Sequence, residues 1–281
     1  MSPAPPQEPC DASAIDMRIR FSLSFQLVVA AAAVGLMLGV VPDAAVAQDG
    51  AAVHIAFVGD SMADGLWGAL FRRLGKDKCL ADKVKLLRRA KNGTGLTRLD
   101  QYNWIDEVET IAQDPGADLF VASLGINDRQ SIVEPDKTRT DYNNAAAFEM
   151  RYQGLVQSLL QHALAKNDSI LLVGLPVMMD ADANTDAQVK NRIFEAAVKT
   201  VADPRASYVQ PWTSQPAPDE YKPFLPNAHN TMTQLRASDG IHFTTYGYDL
   251  VMDHVYPALM ASLKQRGRDL VAECVSQFGA R

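Results

Sequence analysis

The sequence predicts an α/β protein with one parallel five-stranded sheet covered by helices on both faces, a three-layer α/β/α sandwich. Three observations carry that prediction. Short apolar runs rich in β-branched residues alternate with longer segments of helical period. The runs lack polar alternation, so neither face of the sheet is expected to meet water. Past the N-terminal segment, the length suits one domain with a sizeable core, and no break in composition marks a second.

In chain order, strands are expected at 53–59, 84–89, 119–124, 170–175 and 207–209, the second and last having the weakest signal. Helical periods fall at 63–74, 104–113, 145–165 and 186–201, and a last helix begins near Thr244. Within 145–165, Phe148, Tyr152, Leu155 and Leu159 form one apolar stripe. The proline-rich stretch 210–238 carries Trp212, Tyr221 and Phe224 and reads as a rim or lid over a ligand site.

The first 47 residues read as a leader and signal peptide, which leaves 48–281 as the working domain. Arg18 and Arg20 follow Met17, 27–41 is almost wholly apolar, and Ala45-Val46-Ala47 offers a cleavage site before Gln48. An uncleaved anchor is the alternative, because 21–41 is nearly long enough to span a bilayer. With cleavage, the protein is expected to be periplasmic or secreted, without stable membrane insertion. Removing the segment moves the formal charge from −6 to −4, and no basic block remains to neutralise phosphates, which speaks against nucleic acid as a partner. Cys10 precedes the signal. Cys79 and Cys274 are either a disulfide or two separate thiols. Neither has a metal-ligand spacing around it, and neither metal nor cofactor is expected.

Ligands of such sheets sit beyond the C-terminal strand ends, so the residues that follow each strand are the first candidates for chemistry. Gly59-Asp60-Ser61-Met62 follows the first strand, Asn92-Gly93-Thr94-Gly95 the second, and Gly125-Ile126-Asn127-Asp128 the third. Ser61 stands on a tight strand-to-helix turn, as an activated serine nucleophile requires; the alternative at this feature alone is that Ser61 or Asp60 merely caps the helix. Asp239-Gly240-Ile241-His242 supplies a base and, three residues earlier, a carboxylate able to orient it. The Ser61 amide, the Gly95 amide and the Asn127 side chain are the expected oxyanion donors, with Gly93 a competitor of Gly95.

These four blocks, G-D-S-M, N-G-T-G-L, L-G-I-N-D-R-Q and D-G-I-H-F, resemble those of the GDSL/SGNH hydrolase superfamily, with Met62 in place of the usual leucine. The resemblance covers nearly all of 48–281. Tyr102-Asn103-Trp104 and Leu235-Arg236-Ala237-Ser238 narrow it to a bacterial-envelope branch. It implies a flavodoxin-like sheet, catalysis by Ser61, Asp239 and His242 without a metal, and an acyl-serine intermediate resolved by water or by a sugar hydroxyl. The expected substrate is an acylated carbohydrate or another small ester, with short acyl (chiefly acetyl) groups on envelope or extracellular glycans. Arg98, Arg129 and Arg236, with Gln130, are candidate substrate contacts, and Trp212 or Tyr221 could stack on a sugar ring. The alternatives are a non-catalytic glycan-binding or scaffolding protein on the same fold and a nucleotide or flavin binder. The second lacks a G-x-G-x-x-G or G-x-x-x-x-G-K-[ST] run after the first strand. Oligomeric state has no signature in the sequence.

Overall fold

A computed structural model of the chain describes residues 51–114, 116–166, 168–211 and 220–279, the side chains of 276–279 excepted. The expected leader, signal and cleavage point lie outside these residues, as does Trp212. In chain order the first elements are β1 (Val53–Gly59), α1 (Ser61–Leu74), α2 (Lys78–Lys83), β2 (Val84–Arg88), α3 (Trp104–Gln113) and β3 (Leu119–Ser123). A short hairpin, β4 (Ile132–Val133) and β5 (Arg139–Thr140), precedes α4 (Ala145–Leu164), β6 (Ser169–Val173), α5 (Ala181–Val201) and β7 (Ala206–Val209). A second hairpin, β8 (Phe224–Pro226) and β9 (Met232–Gln234), leads to α6 (Thr245–Gln265) and α7 (Leu270–Gly279).

The five long strands form one parallel sheet in the order β2-β1-β3-β6-β7. This is the flavodoxin-like order, as expected, and the order reverses between β1 and β3. Successive side chains point to opposite faces, and both faces are covered. Val53, Ile55 and Phe57 of β1, with Leu119 and Val121 of β3, pack on α1 and α6. Ala56, Val58, Phe120 and Ala122 enter the other core with α3, α4 and α5. Two dry faces explain why the strand signals were continuous apolar runs.

The expected elements are present with small boundary shifts. The largest is at α5, which begins at Ala181, where Asp180 caps it by accepting from the Ala183 amide, rather than at 186. The helix α2 and both hairpins are too short to show a period in the sequence, and α7 is an addition after α6, the last helix expected from the sequence. Cys79 and Cys274 form a disulfide, with Cα atoms 5.8 Å apart, that joins α2 to α7. Among the described residues, no helix is long and apolar enough to cross a membrane.

Candidate active site

Three loops meet at the C-terminal strand ends on either side of the β1/β3 reversal. The chain leaves β1 through Gly59 at φ +124°, where a Cβ would lie 2.0 Å from the Ser123 carbonyl oxygen. Only glycine permits so close an approach to the neighbouring strand, and this puts Ser61 at the first position of α1. Asp60 is the helix cap, its Oδ1 accepting from the Met62 amide at 2.8 Å. Its Oδ2 accepts from the Gly125 amide at 3.0 Å, tying the loop after β1 to the loop after β3. Burial raises the Asp60 carboxyl to about 7, helped by Asp128 and opposed by amide hydrogen bonds.

The Asp239 to His242 turn is held in a closed loop. Ala237 donates to the His242 carbonyl at 2.8 Å, Thr244 to the Leu235 carbonyl at 3.0 Å, and Met179, beyond β6, to the Gly240 carbonyl at 3.1 Å. Asp239 Oδ1 accepts from the Ile241 and His242 amides at 2.8 and 2.9 Å, and Oδ2 lies 2.7 Å from His242 Nδ1. Burial alone would raise the Asp239 carboxyl; the bond to the His242 ring and those from the two amides outweigh it and hold it at about 2. On the far side of the ring, His242 Nε2 lies 2.6 Å from Ser61 Oγ, across 181 residues of chain. With the Nδ1 proton facing Asp239, Nε2 presents a lone pair to the serine hydroxyl.

The loops bearing the expected oxyanion donors are braced from behind. Gly95, Asn127, Thr94, Arg98 and Gln130 border one small cavity of about 110 Å³. Asn127 Nδ2 donates to the Thr94 carbonyl at 2.9 Å, and Trp104 Nε1 donates to Thr94 Oγ1 at 2.9 Å. The main brace is Asp128, fully buried, a role that the sequence does not announce. Its carboxylate accepts from the Leu96 and Thr97 amides, Thr97 Oγ1 and Tyr152 OH at 2.9, 3.1, 2.7 and 2.8 Å. A Cβ on Gly95 would lie 2.0 Å from Asp128 Oδ1, so glycine there serves close packing. The only signal for Asp128 was its place next to Asn127.

The three arginines expected to face a ligand differ. Arg98 forks onto Asp100 at 2.9 and 3.0 Å while bordering the small cavity. Arg129 is partly exposed and lies 3.6 Å from Asp180. Arg236 is a correction: it is 4% exposed and turned inward onto backbone carbonyls, so it presents no guanidinium to a ligand. Tyr221 lies against Arg236, 5.0 Å from its ring centroid to the guanidinium carbon.

Comparison with known proteins bears on the whole domain. Residues 54–258 match the family described as Protein of unknown function (DUF459). Among curated proteins, none matches the sequence. A carbohydrate esterase of family 3 from Talaromyces cellulolyticus is similar in structure at TM-score 0.52 and 15% identity, over 76% of this chain and 99% of that one. An acetyl esterase mutant with an acetate ion is similar at TM-score 0.52 and 14% identity, over 76% and 99% of the two chains. These likenesses establish the fold, that of the SGNH hydrolases.

Proposed function

Since the chain belongs to the DUF459 family and carries the SGNH hydrolase fold, we propose that it is a serine esterase acting through an acyl-serine intermediate on Ser61. The observation that carries this reading is the continuous line from Ser61 Oγ to His242 Nε2 at 2.6 Å and from His242 Nδ1 to Asp239 Oδ2 at 2.7 Å.

In the proposed reaction, Ser61 Oγ attacks the ester carbonyl carbon while its proton passes to His242 Nε2. Asp239 holds the ring in the accepting tautomer and stabilises the imidazolium. The tetrahedral oxyanion takes hydrogen bonds from the Ser61 amide, left without an intrahelical partner at the start of α1, and from the Gly95 amide and Asn127. One Asn127 amide hydrogen is engaged by Thr94, and the other is the one assigned to the oxyanion. The imidazolium then protonates the departing alkoxide oxygen. Water, deprotonated by His242, attacks the acyl carbon and frees Ser61; a sugar hydroxyl in place of water would give transfer.

The substrate is proposed to be a short acyl ester, chiefly acetyl, on an envelope or extracellular glycan. The likeness to a carbohydrate esterase and to an acetyl esterase supports a small acyl group and a carbohydrate acceptor. Export to the periplasm or beyond is supported by the Cys79–Cys274 disulfide, which persists in oxidising compartments. Arg98 and Arg129 remain the arginines assigned to substrate. The test is p-nitrophenyl acetate turnover and fluorophosphonate labelling of wild type, Ser61→Ala and His242→Ala. Labelling and turnover in wild type alone are expected. A folded wild type that does neither would instead favour a glycan-binding protein on this fold.

A further inference from the structure

Building on the esterase reading, we propose that Arg236 is the positioning residue of the catalytic turn, a guanidinium clamp that fixes Asp239 and His242 against the loop after β6. Its Nη2 donates to the Ile241 carbonyl at 2.6 Å and, at 3.4 Å, to that of Gly240; its Nη1 donates to the Val177 carbonyl at 2.7 Å. Its Nε reaches the His242 carbonyl at 3.4 Å. Phe243 and Tyr221 cover the plane, with ring centroids 4.4 and 5.0 Å from the guanidinium carbon.

Burying a guanidinium is costly, and a carboxylate is the usual partner. Among the described residues, no carboxylate is within salt-bridge distance of Arg236; apart from a 4.0 Å contact of Nη2 with Met178 Sδ, its donors go to main-chain oxygens of two segments about 60 residues apart. That arrangement suits holding a backbone in place. A flat fork spreads its donors over separate nitrogens and so reaches carbonyls of two segments at fixed directions, whereas a lysine ammonium gathers its donors on a single atom. Because Arg236 grips the peptide units of 240, 241 and 242, it sets the roll of the turn, and the turn aims the imidazole at Ser61. A displacement of about 1 Å at a reacting group costs on the order of 100-fold in rate.

Arg236→Lys is the first test, with p-nitrophenyl acetate. The expected result is a kcat lower by about 10- to 100-fold with KM within about twofold, and fluorophosphonate labelling slowed by the same factor. In Arg236→Ala, millimolar guanidinium is expected to restore part of the labelling rate and methylammonium to restore none. A folded Arg236→Lys with wild-type kcat would overturn the proposal, as would a raised KM at unchanged kcat, the mark of a substrate-binding arginine. Two readouts do not depend on turnover. Amide exchange in the Lys variant is expected to quicken together at 177–179 and 240–243 while β3 is unchanged, and equal exchange in both proteins would overturn the clamp. In the wild type, the Arg236 Nη hydrogens are expected to give separate, slowly exchanging NMR signals; rapid rotation and exchange would contradict it even if neither variant folds. If wild type neither labels nor turns over, the esterase reading fails while these two readouts still decide the clamp.

Discussion

Asp239 has two separate duties, one for each oxygen: Oδ1 receives the Ile241 and His242 amides and shapes the turn, and Oδ2 faces the imidazole. Asp239→Asn would present an amide N–H either to His242 Nδ1 or to those two backbone donors, so the accepting tautomer is lost. Turnover is expected to fall by about 10³- to 10⁴-fold with the fold retained, read by esterase assay and circular dichroism. The pH behaviour follows from sign. The folded-state Asp239 carboxyl, at about 2, lies below its ordinary 3.8, so it contributes stability above the ordinary value and loses it as pH falls through about 2. The difference in thermal midpoint between wild type and Asp239→Asn should therefore be fully present near neutral pH and shrink in strong acid. Asp239 is therefore still ionised in mild acid. The Asp239 and His242 pairing was legible in the sequence because both residues lie within one turn of chain. The direction of Arg236 was not, because the carbonyls it grips are fixed only once the loop after β6 has packed against that turn.

At the scale of loops and strands, the site depends on how closely β1, β2 and β3 let their following turns approach. Gly59→Ala would set a Cβ against the Ser123 carbonyl at a backbone angle that side chains rarely adopt, and a loss of about 3 kcal/mol or more is expected in urea unfolding. Asp128→Ala would strip partners from the Leu96 and Thr97 amides and the Tyr152 hydroxyl, all buried. Here too a cost of about 3 kcal/mol or more is expected, with slower labelling of Ser61 as the loop of Gly95 loses its brace. The central strands announced themselves because burial on both faces demands unbroken apolar runs, whereas β2, at an edge, has a mixed burial pattern and a correspondingly weak signal. The hairpins, two or three residues a strand, are set by tertiary contact and leave no period to read.

Across the whole molecule, chemistry and covalent reinforcement lie at opposite ends of the sheet. The Ser61, Asn127 and His242 loops stand at the C-terminal strand ends, while the Cys79–Cys274 bond joins α2, just before β2 begins, to the last helix. Cys79→Ser with Cys274→Ser is expected to cost about 2–5 kcal/mol, lowering the thermal midpoint while leaving kcat at room temperature within about twofold. The sequence left the two cysteines undecided because only the folded chain sets their Cα separation. A parallel sheet covered on both faces, by contrast, followed from alternating strands and helices, and its flavodoxin-like order from the resemblance that the four blocks carry. All of this turns on the Ser61 hydroxyl being the atom that takes the acyl group. Acid-quenching the enzyme during turnover of a slow acyl ester, and weighing its peptides, measures that directly. A gain of one acyl group on the peptide holding Ser61, absent from Ser61→Ala, is the predicted result; turnover with the acyl mass on another residue, or on none while Ser61→Ala stays active, would contradict it.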